Sequence, residues 1–284
     1  MNTLSRRNNE FTDRINKKFN YQISFLNKPN KSLLTDIHNI ETTSTSAIHD
    51  TYYKELRKLK QNYYKQLEVH FEKRNELIQQ LPSINSKPIR FWLKALINSK
   101  ATSELITEAD WLPLESLVNI RFEYLDVEVS ESFKLVFEFK ENEFIENKAL
   151  EKEYHLTNDK LIERIVSSDI RWKEGKNYAQ RQVKKTYRNK KTNEIKVIDI
   201  NTMNPSFFNF FCNITLPQTQ EQMKCITYKE EKMLYERLDK EYEIANEIID
   251  EIIPHASEYY CGCLQDIEEH TNYVEKHFIS DFPL

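Results

Sequence analysis

From Ser32 to Leu81 the chain carries neither proline nor glycine, and its apolar residues recur three or four positions apart. Ile48, Tyr52, Leu56, Leu59, Tyr63, Leu67 and Phe71 form one such series, the spacing of residues that share a helix face. Leu33, Ile37 and Ile40 extend it backwards across "TTSTS", Thr42 to Ser46, whose residues are poor helix formers. A continuous helix over 32–81 spans ~75 Å, and a piece that starts after "TTSTS" still spans ~50 Å. A compact globule of this chain length has a diameter near ~50 Å. The stripe therefore cannot be buried wholly within one domain. Two readings stand: pairing with a second helix, which the length favours, or a helix laid along its own globule.

Pro82 and Pro88 punctuate the chain after this helix. "IRFWLKALIN" (89–98) predicts a short helix with Phe91, Trp92, Ala95 and Leu96 inward. Thr107 to Asp110 has the form of a capping box opening another, with Pro113 in its first turn. The period then changes to two. Ile120, Phe122 and Tyr124 alternate with polar residues, as do Phe133, Leu135, Phe137 and Phe139, which predicts strands of an antiparallel sheet with one buried face. Leu150 to Leu156 predicts a third strand. Gln182 to Ile200 predicts a hairpin turning near Asn189 to Asn193, with Val183, Ile195 and Val197 on its inward face. Residues 230–253 are helical in pattern up to Pro254, and 255–270 predict one more helix. The class is α+β: a long helix, then an antiparallel sheet with helices on one side. The expected divisions are a basic, disordered arm over 1–31, the long helix over 32–81, an α+β domain over 82–270 and a short tail over 271–284.

Composition narrows the chemistry. The 284 residues hold two glycines, Gly175 and Gly262. Dinucleotide fingerprints, phosphate-binding loops and nucleophile elbows each need closely spaced glycines, so none can be built. No apolar run approaches the ~20 residues of a membrane span, so no membrane partner is expected. Four cysteines without a dense framework suit a reducing compartment. Cys261 and Cys263 with His255 and His270 raise a metal reading, but residues two apart on a helix diverge by about 200°, and no second cysteine pair lies near. Neither a metal nor a cofactor is expected. Cys212 and Cys225 lack His and acid partners for nucleophilic work, so no enzymatic activity is expected.

Charge is unevenly spread. Residues 236–284 contain thirteen acids and three bases, a local −10, within a chain of net charge −4. Such asymmetry points to a charged partner. Glu236, Asp239, Glu243, Glu247 and Asp250 recur at helical spacing opposite Leu234, Leu238, Ala245, Ile248, Ile249 and Ile252. This side is either a carboxylate ridge for cationic cargo or an ordinary solvated face. Glu108 and Asp110 fit the same ridge or the helix cap. Lys184, Lys185, Arg188, Lys190, Lys191 and Lys196 cluster in the hairpin. That cluster suits a nuclear-import signal, nucleic-acid contact, or a soluble ribbon protected from edge pairing.

Ile89 to Asp126, "IRFWLKALINSKATSELITEADWLPLESLVNIRFEYLD", resembles the nucleosome assembly protein (NAP/SET) family, in which "P-x-FW-L-x-AL" leads into "LSELITE-x-D" and "L-x-x-I-x-x-EYLD". Phe133 to Leu156, "IRWKEGKN" (170–177), "SFFNFF" (206–211) and Glu236 to Gly262 match further family signatures in the same order. The resemblance runs from about residue 35 to 265. It implies a homodimer built on a long antiparallel helix, and a histone chaperone whose acidic underside takes up core histones. It implies work in cytoplasm and nucleus, an import signal on the basic hairpin read by nuclear import receptors, and nucleic acid engaged only indirectly. It also implies that "SFFNFF" packs the helical layer on the sheet, as its four phenylalanines suggest by themselves. Two departures stand out. Family members usually end in a long Glu/Asp run, whereas these last residues are acidic without one, and the family's "NPFF" is "NEFI" at Asn142 to Ile145. A carrier that does not deposit histones, and a nucleic-acid-binding protein using the hairpin, are the rival functions.

Overall fold

The computed structural model describes residues 15–81, 89–125, 130–157, 162–188, 195–217 and 226–264. The long helix comes first. Helix α1 (Lys28–Asn39) runs through a widened π turn (Ile40–Ser44) into α2 (Ser46–Gln79). The "TTSTS" segment widens the helix without ending it. There the hydroxyls of Thr42 and Thr45 donate to the carbonyls of His38 and Glu41, each at 2.6 Å. Such back-bonding loosens a turn but keeps its carbonyls satisfied. Residues 15–23, expected as part of a disordered arm, are helical and packed on α1. Ile23 is buried there, and Phe19 stacks on His38 at 4.1 Å.

The α+β domain follows. Helix α3 (Phe91–Ile97) is apolar almost all round and buried, with the Trp92 indole donating to the Val118 carbonyl at 2.9 Å. Short α4 (Lys100–Ser103), a 3-10 turn (Glu108–Asp110) and α5 (Trp111–Leu114) lead to the sheet. Five antiparallel strands lie in the order β1 (Leu117–Tyr124), β2 (Phe133–Phe139), β3 (Ala149–Leu156), β4 (Ile162–Ser167) and β7 (Ile214–Thr215). Strands β5 (Gln180–Arg188) and β6 (Ile195–Met203) form a separate ribbon. Helix α6 (Tyr228–Glu247) opens on a capping box from Thr227 and Glu230, passes through a π turn (Ile248–Ile252), and is followed by α7 (Ala256–Cys261).

The alternation of β2 and β3 puts Phe133, Leu135, Phe137, Leu150, Tyr154 and Leu156 on one buried face. The "SFFNFF" segment is a 3-10 turn (Phe207–Phe211) whose four rings are all buried. Three of them, Phe207, Phe210 and Phe211, surround Phe137 at centroid distances of 5.3–6.1 Å. They pack on the buried face of the sheet.

The hairpin register departs from expectation. Val183 lies opposite Ile200, while Val197 lies opposite Thr186 and Ile195 opposite Arg188. By the period of two, Val183 is therefore on the other face from Ile195 and Val197, and Val183 is exposed. Lys190 and Lys191 lie outside the described residues.

Candidate functional site

The seven residues of the α2 stripe do not share one fate. Ile48, Tyr52, Leu59 and Tyr63 are more than half exposed, as is Leu77 further along. Leu56 and Leu67 are half-buried. Phe71 instead packs on its own domain, together with Tyr64 and Ile78. The cause is helical drift: each four-residue step advances about 40° round the axis. A stripe built mostly of such steps winds from the open side to the domain side. Helix α2 thus has two apolar faces, one covered within the chain and one bare. Its domain face is fixed by Lys60 to Glu131 at 2.9 Å, by the Tyr64 hydroxyl donating to Asp250 at 3.0 Å, and by Arg74. The Arg74 guanidinium donates to the Ile253 carbonyl and sits 4.6 Å from the Phe71 ring centroid. Burial lowers its pKa to about 10.

The acidic candidates also divide. Glu236, Asp239 and Glu243 are exposed on α6, opposite the buried Leu238, Ala245 and Ile248. Lys232 pairs with Glu236 at 3.5 Å. Lys240, one of the few bases nearby, is turned to Glu104 at 3.3 Å. Glu247 is half-buried and accepts from the Tyr259 hydroxyl at 3.1 Å. Asp250 is exposed but belongs to the π turn. At more than four residues per turn, that turn rotates it away from Glu243 and towards Tyr64 of α2. The exposed ridge of α6 is therefore shorter than its spacing suggests.

Asp110 is not a surface acid at all. It is fully buried, and every contact it makes is internal. One carboxylate oxygen accepts from the Thr107 amide (2.7 Å), the Thr107 hydroxyl (2.8 Å) and the Phe207 amide (3.0 Å). The other accepts from the Ser206 hydroxyl and, at 2.9 Å, from Tyr178. Burial, reinforced by Asp110, pushes the Tyr178 hydroxyl well above its ordinary pKa. Asp110 ties the capping box to the start of the phenylalanine turn, so it cannot meet a partner. Its neighbour Glu108 is exposed and remains a candidate contact.

One charged pair escapes sequence reasoning. Lys152 on β3 is fully buried and ion-paired with Glu241 of α6, while also donating to the Phe210 carbonyl. Its ammonium lies 3.5 Å from the Phe210 ring centroid. Burial lowers its pKa to about 8, against the opposing pull of Glu241. The signal was present: in "ALEKEYHL" the inward period of Leu150, Tyr154 and Leu156 includes Lys152. A lysine at an inward position needs a carboxylate above it.

Lys184, Lys185 and Arg188 lie on β5, where the register sets Lys184 opposite Asp199 and Lys185 opposite Ile198. Among the described residues, no three His, Cys, Asp or Glu side chains converge as a metal site.

A long helix with one bare apolar face thus carries an α+β domain whose outer helix, α6, bears exposed carboxylates. The family model described as "Nucleosome assembly protein (NAP)" matches residues 36–263. The chain belongs to that family. It is 26% identical to nucleosome assembly protein 1;3 of Nicotiana tabacum over 78% of this chain and 62% of the relative. It is 33% identical to nucleosome assembly protein 1;1 of Oryza sativa subsp. japonica over 61% of this chain and 44% of the relative. The chain thus spans less than two thirds of the length of these curated relatives. Among solved structures it is similar to nucleosome assembly protein 1 of Plasmodium knowlesi, with a TM-score of 0.62 at 26% identity. That alignment covers 84% of this chain and 99% of the other. A malaria parasite nucleosome assembly protein matches with a TM-score of 0.61 at 25% identity, covering 84% and 100%.

Proposed function

We propose that this chain is a homodimeric histone chaperone that takes up core histones through carboxylates on the outer face of α6 and assists nucleosome assembly. The family supports the class of activity, and the two-sided build of α6 supports the site. Leu238, Ala245 and Ile248 dock the helix, which leaves Glu236, Asp239 and Glu243 in solvent at a spacing that adds their fields. Glu108 adds a further exposed carboxylate. An isolated exposed pair contributes ~0–1 kcal/mol, so the charges act as a group, attracting cationic cargo and releasing it readily. Two copies join along Ile48, Tyr52, Leu59 and Tyr63, the face that the domain leaves bare. The basic ribbon β5–β6 serves nuclear import, and the protein works in both cytoplasm and nucleus.

Titration of labelled core histones against the wild type and a Glu236→Gln/Asp239→Asn/Glu243→Gln variant tests the site. The expected result is binding that weakens steeply with salt and falls about tenfold in the variant, the equivalent of about 1.4 kcal/mol. Equal binding by both proteins would overturn it. A plasmid assembly assay separates deposition from mere carriage, since a carrier leaves the plasmid without nucleosomes.

A further inference from the structure

A cleft of about 450 Å³ lies between α2 and the edge strand β1. Its floor is aromatic and aliphatic: Phe71, Ile120, Phe122 and Tyr124. One wall is the open edge of the sheet, for the six consecutive residues 119–124 all line it. Among the described residues, no backbone hydrogen bond joins this stretch to anything but β2. The other wall is α2, where Glu68, Glu72 and Glu76 stand four residues apart along the rim, all exposed. Among the described residues these three have no ion-pair or hydrogen-bond partner. The cleft's bases do not neutralise them: Arg121 is held by Glu123 and Glu138 of the opposite wall, with Glu138 at 2.9 Å. Only Lys65 remains near the line.

Each feature selects the same kind of occupant. Like charges four apart disfavour a helix unless something cationic relieves them. An unpaired sheet edge is a template for an added strand. From Gln61 to Glu76 the helical wall runs about 22 Å, room for about six extended residues. The geometry points to a binding site for an extended, lysine- or arginine-bearing peptide that pairs with β1. Its alternate residues fall on the aromatic floor and its cationic ones meet Glu68, Glu72 and Glu76. Round α2, Glu68 and Glu72 lie about 120° or more from Ile48, Leu59 and Tyr63, and Glu76 about 80° or more, so a second copy seated on that bare face leaves the cleft open. The site rests on the reading of cationic cargo above and adds a second contact, separate from the α6 ridge.

The test uses the full chain and a fluorescent peptide of alternating lysine and valine, followed by anisotropy at low salt. A Glu68→Gln/Glu72→Gln/Glu76→Gln variant is expected to bind it at least tenfold more weakly. Removing like charges does not threaten the helix, and circular dichroism checks this. The same peptide N-methylated at alternate amides, in the frame that faces β1, is expected to lose a comparable factor. The α6 ridge variant is expected to bind the peptide within threefold of the wild type. Unchanged binding by the cleft variant, or equal binding of the N-methylated peptides in both frames, would overturn the site. So would a change in sedimentation of the cleft variant, which would make the cleft a contact between copies. If the ridge variant alone lost the peptide, the cleft would fall and the ridge would stand.

Discussion

Helix α6 carries glutamates of two kinds within a single turn. Glu241 turns inward to the buried ammonium of Lys152, while Glu243 stands in solvent. The same contrast recurs at Asp110 and Glu108, two residues apart: one fully buried with five donors around it, the other exposed. Residue type and local spacing do not separate these roles; the direction of the side chain does. Inward acids hold the sheet to its helices and are spent on the fold. Outward acids stand in solvent, where exposed charges contribute little to the fold. Substitutions on the two sides should therefore behave oppositely, and the two sets of effects should not overlap.

The largest effect is expected inside. Lys152→Met leaves Glu241 uncompensated and should cost about 3–5 kcal/mol in urea unfolding, whereas the Lys152→Met/Glu241→Met double variant should return close to wild-type stability or exceed it. A double variant as unstable as the single one would mean that the pair is irreplaceable where it lies. Asp110→Ala comes next. It strands the donors of Thr107, Ser206, Phe207 and Tyr178, and about 3 kcal/mol is expected from buried donors left unpaired. Outside, Glu236→Gln/Asp239→Asn/Glu243→Gln should move stability by under about 0.5 kcal/mol.

A smaller effect concerns pH and again belongs to the inner pair. Burial sets the Lys152 pKa at about 8, below the ordinary lysine value of about 10.4. Between these values the unfolded chain holds a proton that the folded one has released. Stability from this group therefore rises with pH across that window. The Lys152→Met/Glu241→Met variant should lack the rise when denaturant midpoints are compared from pH 8 to 10. Above pH 10 the buried tyrosines reverse the trend. Tyr154 keeps its proton in the folded state because burial raises its pKa well above the ordinary value.

The long helix, the alternation of β1 to β3 and the buried phenylalanine turn are legible in the sequence because each is a strong, repeated period. The capping box at Thr107 is legible too, yet its meaning changed with the fold. Asp110 caps locally but is buried by Ser206 and Tyr178, both far away in the chain. Phe71 kept its place in the spacing but not its side, because drift round the helix axis is invisible in a list of positions. Asp250 left the ridge because a π turn, which no residue pattern announced, rotated it. Strand β4, with Glu163, Arg164 and Ser167 among its six residues, and the two-residue β7 set no clear period of two in the sequence. Lys152 was hidden by its charge. A lysine counts as surface until the strand's inward period is followed through it.

The bare face of α2 extends the comparison from charge to apolar surface. Leu59→Glu/Tyr63→Glu should separate two copies without unfolding either, whereas Phe71→Ala should loosen the helix from its own domain. Sedimentation distinguishes the first and thermal unfolding the second.

The account stands most directly on the division of labour across α6. The deciding measurement is the affinity of the Glu236→Gln/Asp239→Asn/Glu243→Gln protein for core histones, taken beside its unfolding free energy. The expected result is about tenfold weaker binding, a shallower dependence on salt, and stability unchanged within error. Wild-type affinity in that protein, or a loss of binding matched by a loss of stability, would contradict it.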